Sequence, residues 1–372
     1  MVKSPLALYI HIPFCSKKCH YCSFYTIPYK PELISSYCNA IIHEGLRKFE
    51  SLAEHYFIDT LFFGGGTPSL IPPSELQNIA KILASQAQEI TLEANPEHLN
   101  ACYLEQLQET SINRVSLGVQ TFDDPLLKLL GRTHSSLSAI QAILRCRSYG
   151  FTNISIDLIY GLPTQSLETF LTDVQQALAL PLTHLSIYNL TLDPQTSFYK
   201  HRNALIPSIA REDTLATMHL LAEQQLSTYG FDHYELGSYA KPNFLSKHNL
   251  YYWTDRPFLG LGVSASQYLD GKRSKNYTRI SHYLRAIQKN LPTEESSEIL
   301  PEKEKIKEAL ALRLRLSQGV RWRDFPPELL IMLINNPILN SFLDCSEEFL
   351  FLNTQGRLFH DTIAEAVMNF SF

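Results

Sequence analysis

The stretch Ala7-Leu8-Tyr9-Ile10-His11-Ile12-Pro13-Phe14-Cys15-Ser16-Lys17-Lys18-Cys19-His20-Tyr21-Cys22 decides how the rest of the chain is read. Its first part, Ala7–Ile12, is a short β-rich run that stops at Pro13. Its second part carries three cysteines spaced C-x3-C-x2-C. Thiolates this close on one loop wrap a soft metal centre. Two centres compete. A structural zinc takes four protein ligands, usually from a second Cys/His pair elsewhere. No second pair is visible, although His11 and His20 lie nearby. An iron–sulfur cube also takes four ligands, so three cysteines would leave one iron open to a small molecule. Lys17 and Lys18 beside the loop favour thiolates.

The other cysteines, Cys38, Cys102, Cys146 and Cys345, are scattered singly and read as core fillers. Seven cysteines so unevenly placed are not a disulfide framework. At 372 residues the chain is long enough for two to three domains, or for one large α/β barrel with a smaller module. Hydrophobic residues make up 45% and charged ones 19%, which excludes disordered and collagen-like chains. Thirty-two Lys and Arg against 37 Asp and Glu give a net charge of −5, which argues against a bulk nucleic-acid binder. No apolar run approaches the ~18 residues of a membrane span, and Leu6–Ile10 is too short for a signal peptide. The expectation is a cytoplasmic protein.

Outward from the first strand, β-rich runs alternate with amphipathic ones. The strand candidates are Ala7–Ile12, Thr60–Phe63, Ile90–Ala94, Arg114–Val119, Ile154–Ile159 and His184–Leu190. Several read as apolar on both faces, as in a parallel strand covered on both sides. Helical stretches at Glu32–Ala53, Ser74–Gln86, Tyr103–Thr110, Leu137–Tyr149 and Leu167–Ala179 separate them, and Arg211–Tyr229 follows. Six βα units predict an α/β fold, a partial (β/α)6 barrel with an open side. Side chains at the C-terminal ends of such strands converge on one site. There the sequence places Cys15, Gly64–Pro68, Glu93, Gln120, Asp157 and Tyr188–Thr191.

The expected domains are a barrel over 1–235, a connecting segment over 236–300 and a C-terminal winged-helix-like module over 301–372. Glu294–Lys307 reads as a linker running into a helix. A hairpin is expected between Phe349–Leu352 and Arg357–Phe359, turning at Asn353–Gly356.

The cysteine loop with its leading Tyr9–Phe14 resembles the cluster loop of radical S-adenosylmethionine (SAM) enzymes. More narrowly, it is similar to the family that holds the oxygen-independent coproporphyrinogen III oxidase and heme-chaperone relatives. Further motifs match in order: Gly64-Gly65-Gly66-Thr67-Pro68, Glu93-x-Asn95-Pro96, Gly118-Val119-Gln120-Thr121-Phe122, Gly131-Arg132 and Asp157–Pro163. The resemblance covers essentially the whole chain. It implies a [4Fe–4S] cluster on Cys15, Cys19 and Cys22, with SAM on the open iron. Gly65, Gly66 and Thr67 match the positions near the SAM amine, where glycine lets backbone approach closely. Arg132 matches the partner of the SAM carboxylate. Glu93, Gln120 and Asp157 match polar positions around the amine and ribose. Tyr9 and Thr191 match further lining positions, although an aromatic in a strand is more often core.

Two features separate the branches. The oxidase has a further cysteine two residues after the third; here that residue is Phe24. His248-Asn249-Leu250-Tyr251-Tyr252-Trp253 matches an H-N-x-x-Y-W motif of the chaperone branch, which makes His248 the expected heme-iron ligand. The resemblance therefore implies a chaperone without coproporphyrinogen oxidase activity, binding heme and passing it to heme-accepting proteins, membrane respiratory enzymes among the candidates. The alternative is radical decarboxylation of coproporphyrinogen III by the same fold. Nucleic acid is not an expected partner, and a homodimer stays open.

Overall fold

The structure, a computed structural model, describes residues 3–372. Six parallel strands form its centre: β1 Ser4–Ile12, β2 Tyr56–Gly65, β3 Glu89–Ala94, β4 Arg114–Gln120, β5 Asn153–Tyr160 and β6 His184–Asn189. They lie side by side in chain order. The helices after them are α1 Pro31–Leu52, α2 Pro73–Leu83, α3 Ala101–Leu107, α4 Ser136–Ser148, α5 Leu167–Leu178 and α6 Glu212–Thr228.

Side chains alternate across a strand, and here the two faces differ in chemistry. On β4, Val115, Leu117 and Val119 point outward into the core they share with Ala139, Ile143 and Cys146 of α4. Arg114, Ser116 and Gln120 turn inward to line the interior cavities. The expectation of strands apolar on both faces is corrected: helices cover the outer face, and the inner face is a row of polar groups.

The sheet has 12 strands and stays open. Strands β7 Asp232–Glu235 and β8 Ser238–Ala240 add antiparallel to β6. On the other side, β9 Phe258–Leu261 adds parallel to β1, and β10 Ser266–Leu269, β11 Lys272–Asn276 and β12 Glu294–Ile299 continue antiparallel. No ladder joins β6 to β1 among the described residues. The stretch 236–300, expected as a connection, thus carries β8 to β12 of the main sheet. The linker expected from Glu294 begins as β12. Its sequence shows no apolar alternation because it is the outermost strand and almost wholly exposed.

Helix α7, Lys247–Trp253, packs at the opposite end of the barrel from the cysteines. Ser246 caps it, and the Glu89 carboxylate accepts hydrogen bonds from the backbone N–H groups of Lys247 and His248 at 3.1 and 3.0 Å. A carboxylate at a helix N-terminus is favoured by the helix dipole.

The C-terminal module is a small α+β unit with its own core around Leu310, Leu329, Leu333, Leu350 and Ile363. Its hairpin pairs Phe349–Leu352 with Leu343–Cys345. The partner expected at Arg357–Phe359 is corrected. Asn353 does not turn a hairpin; its side chain accepts from Gly356 N–H and starts a helix over Thr354–Leu358. Cys38 and Cys146 are buried as expected, whereas Cys102 and Cys345 are exposed and fill no core. Among the described residues no helix is long and apolar enough to cross a membrane.

Glu44 of α1 ties the barrel to this extension. Its carboxylate, fully buried, accepts from Gly262 N–H at 2.9 Å, Asn276 Nδ2 at 2.7 Å, Tyr283 OH at 2.8 Å and Thr293 Oγ1 at 2.7 Å, with Lys48 Nζ at 2.9 Å. Removing one member of such a buried network leaves several donors unpaired. Glu44→Ala is expected to lower the unfolding free energy by about 3–5 kcal/mol, measured by urea denaturation. A loss under about 1 kcal/mol would show that the network is replaceable by water.

Candidate functional site

The cysteine loop is closed at its base. Phe14–Cys15 pairs in parallel with Ile27–Pro28, with Ile27 N–H bonded to Pro13 O at 2.8 Å and Tyr29 N–H to Cys15 O at 2.9 Å. Its tip is held by His20, whose Nδ1 bonds Leu129 O at 2.8 Å. His11 uses both ring nitrogens: Nε2 donates to Tyr25 O at 2.9 Å, and Nδ1 accepts from Tyr9 OH at 3.0 Å. Burial pushes His11 down to about 4, so the ring is neutral. His11 is therefore committed to the fold through both nitrogens, whereas His20 is held through Nδ1 alone. Among the described residues no three His, Cys, Asp or Glu side chains converge on a single-ion site.

The three thiols open into one chamber of 510 Å³ at the C-terminal ends of the strands. Gly65, Gly66, Thr67, Glu93, Gln120, Arg132, Asp157 and Thr191 line the same chamber. Tyr9 does not; it lines an adjoining inner cavity of 230 Å³ that shares Gly65, Glu93 and Asp157 with the chamber.

Close packing explains the glycines. A Cβ on Gly66 would stand 2.8 Å from Phe14 O, and one on Gly65, at φ 111°, would stand 2.5 Å from the His11 ring. Thr67 Oγ1 lies 3.3 Å from Cys15 Sγ. Gln120 is placed by a bulge. The β4–β5 register shifts between Gly118 and Gln120, and Gln120 takes φ 72°. Such a left-handed residue without a glycine is strained, and bulges re-aim side chains beside sites.

Two carboxylates share this interior. Glu93 is pushed up to about 8, by burial first and by the Asp157 charge second, while Gly65 N–H at 3.1 Å and Arg114 draw it back. Asp157 is pushed up to about 6 by burial, against a Ser186 hydrogen bond and the charges of Arg114 and Arg132. A buried carboxylate pair with raised values is short of positive charge and suits a cationic ligand.

Arg132 turns toward the protein rather than into open space. Its Nη2 donates to Gly118 O at 2.6 Å and Asn95 Oδ1 at 2.8 Å, and Nη1 donates to Cys19 Sγ at 3.5 Å. Its buried Nε has no partner among the described residues. The expected ligand carboxylate would have to meet that nitrogen or displace one of these contacts.

His248 differs most from its expected role. It is fully buried, with Thr60 Oγ1 2.8 Å from Nδ1, Tyr252 OH 2.8 Å from Nε2, and its ring stacked on Phe62 at 5.0 Å. An axial ligand needs a bare nitrogen, and here neither is bare. In this structure His248 is a wall of the inner cavity, and ligating a heme iron would require Tyr252 to give up Nε2.

Sequence reading missed Arg114, 2% exposed and lining that inner cavity. The signal was present as a two-residue period, Arg114-x-Ser116-x-Gly118-x-Gln120, inside an apolar strand.

An open parallel barrel with three thiols facing a glycine cradle at its rim defines a radical SAM protein. Comparison with known families agrees: the Radical SAM superfamily profile matches residues 9–177. Proteins described as heme chaperone HemW match over most of their length. That of Bacillus subtilis is 32% identical over 97% of this chain and 98% of its own, and that of Lactococcus lactis is 38% identical over 86% and 84%. The solved structure of coproporphyrinogen III oxidase (HemN) from Escherichia coli superposes with a TM-score of 0.84, covering 99% of this chain and 91% of that one at 22% identity. The chain belongs to the HemW family of the radical SAM superfamily. That membership implies SAM and a [4Fe–4S] cluster.

Burial pushes His248 down to about 3, with the Arg114 charge a second cause. The unfolded chain takes up this proton near pH 6.5, so the contribution is intact above that pH. It is lost as pH falls, at about 1.4 kcal/mol per pH unit. His248→Gln, whatever its stability at pH 7, is expected to lose about 1.6 kcal/mol less than the parent between pH 6.5 and 5. Identical pH slopes in urea unfolding would show that His248 is not held neutral.

Proposed function

We propose that this protein is a heme chaperone that carries a SAM-ligated [4Fe–4S] cluster, binds heme and delivers it to acceptor proteins. The observation that carries the cluster is the chamber itself. Cys15, Cys19 and Cys22 face it together, and the remaining cysteines lie elsewhere, buried in the core or exposed on the surface. Burial pushes the Cys15 thiol up to about 11, a cost that a bound metal centre removes by its own charge. When bound, the cluster supplies an open iron on which SAM chelates. Gly65 and Gly66 line the chamber where the SAM amine would lie, and the Glu93–Asp157 pair supplies the negative field an ammonium needs. Arg132 would meet the carboxylate through its unpartnered Nε, or by exchanging one of its contacts to Asn95, Gly118 and Cys19.

The chaperone reading is preferred to the oxidase because Phe24, 63% exposed, stands at the chamber mouth where the oxidase carries a cysteine, and because HemW relatives carry that name. With both nitrogens of His248 engaged, heme has to bind without that ligand or after Tyr252 lets it go.

The test is anaerobic reconstitution followed by iron, sulfide, SAM and heme measurements. Replacing Cys15, Cys19 or Cys22 with Ala is expected to abolish iron–sulfur loading, while the same change at Cys38, Cys102, Cys146 or Cys345 leaves it intact. Zinc without iron in the reconstituted protein would overturn the cluster. Coproporphyrinogen with SAM and reductant is expected to give no vinyl product; its appearance would establish the oxidase instead.

Arg132→Ala is expected to weaken SAM binding roughly 10- to 150-fold, about 1.5–3 kcal/mol. An unchanged dissociation constant would assign Arg132 solely to holding Asn95, Gly118 and Cys19.

A further inference from the structure

A second cleft, of 520 Å³, lies between the face of the β10–β11–β12 extension and the first helix of the C-terminal module, Glu302–Arg313. Both parts of the chain build it, and small-molecule sites favour such junctions. Its aromatic wall is Tyr252, Phe258 and Tyr268, with Tyr252 and Phe258 edge to face at 4.7 Å. The cleft is not isolated. Tyr252, Phe258, Ser266 and Lys275 also line a groove that runs on to Phe24 and Tyr25 of the cysteine loop.

Its charges divide unevenly once their pairings are followed. Arg273 is taken by Glu308 at 2.8 Å and Glu298 at 3.8 Å. Asp255 faces the charges of Arg313 and Lys305. Two cations remain. Arg256 lies over the Tyr251 ring at 3.8 Å with its Nε on Thr254 Oγ1, and Lys275 is exposed at the junction of cleft and groove. Neither has a carboxylate within ion-pair distance among the described residues. Aromatic faces flanked by two cations without carboxylate partners suit a flat aromatic molecule with two carboxylate arms, since ring edges and faces bind the plane and charge-assisted hydrogen bonds bind the arms.

We infer that this cleft is the tetrapyrrole site, with Lys275 and Arg256 holding the propionates and Tyr252 and Phe258 against the macrocycle. The inference rests on the heme-carrier reading above and places the heme outside the barrel, one groove away from the cysteine loop. No part of it requires His248 as a ligand.

The test uses the full chain, reconstituted anaerobically and titrated with heme, with iron-free protoporphyrin IX and with protoporphyrin IX dimethyl ester, whose propionates carry no charge. The Lys275→Glu and Arg256→Gln variants are each expected to weaken heme and protoporphyrin at least tenfold. Iron–sulfur content and SAM affinity should not change. The dimethyl ester should bind the parent more weakly than the free acid and lose nothing further in either variant. Lys275 is exposed, so its variant folds even if the half-buried Arg256 change disturbs the site. If the parent binds heme and both variants bind it equally well, or if the ester is weakened as much as the acid, this cleft is not the site. If the parent binds no tetrapyrrole, the heme-carrier reading falls and the inference with it.

Discussion

Every parallel strand of the barrel turns alternate side chains inward, and most of those side chains are polar. Buried polar groups must be paired or they cost free energy, and much of the structure follows from meeting that demand. At the lower end the pairing is complete for two histidines. Ser155 and Tyr234 satisfy His184, and Thr60 and Tyr252 satisfy His248. Helix α7 seals this end, with Glu89 closing its first turn. At the upper end the pairing is incomplete: Glu93 and Asp157 keep raised values, and Arg132 Nε has no partner. The lower end also keeps two unpaired atoms, Thr91 Oγ1 and Arg114 Nε, but only the upper end combines raised carboxylates with an open chamber, and there a ligand can complete the pairing.

The charge balance inside makes the same distinction. Arg114 is buried at the start of β4 and acts on Glu93 and Asp157 by charge without a hydrogen bond to either. It keeps an interior with two carboxylates from becoming strongly anionic before a cation arrives. Burial holds His184 and His248 neutral, and the Arg114 charge adds to that effect. One residue thus reaches the lower and upper halves of the interior, because Coulomb interactions in a poorly screened core act over longer distances than hydrogen bonds.

The open side of the sheet gives the added strands their place. Because β6 and β1 do not meet, β1 pairs with β9 instead, and the extension that follows is anchored by Glu44. That anchor fixes β10 and β11 against the C-terminal module and so shapes a cleft beside the barrel mouth. A closed eight-unit barrel would bury this edge and leave no such surface.

The sequence by itself determined the six βα units, the rim on which the cysteine loop and the glycine cradle sit, and the set of residues that gather there. Those features are local: a strand ends, a loop begins, and parallel connection puts all such loops at one rim. Tertiary structure alone decided what depends on distant partners. Phe258–Leu261 is only four residues long, and nothing within it says that it will extend β1. The exposed edge strand Glu294–Ile299 carries no apolar period to reveal it. The histidine of the H-N-x-x-Y-W segment looks free in one dimension, yet Thr60, 188 residues away in the chain, takes one nitrogen and Tyr252, one helical turn on, takes the other. Whether a side chain is a ligand or a satisfied wall depends on what faces it, and sequence order does not record which groups face each other.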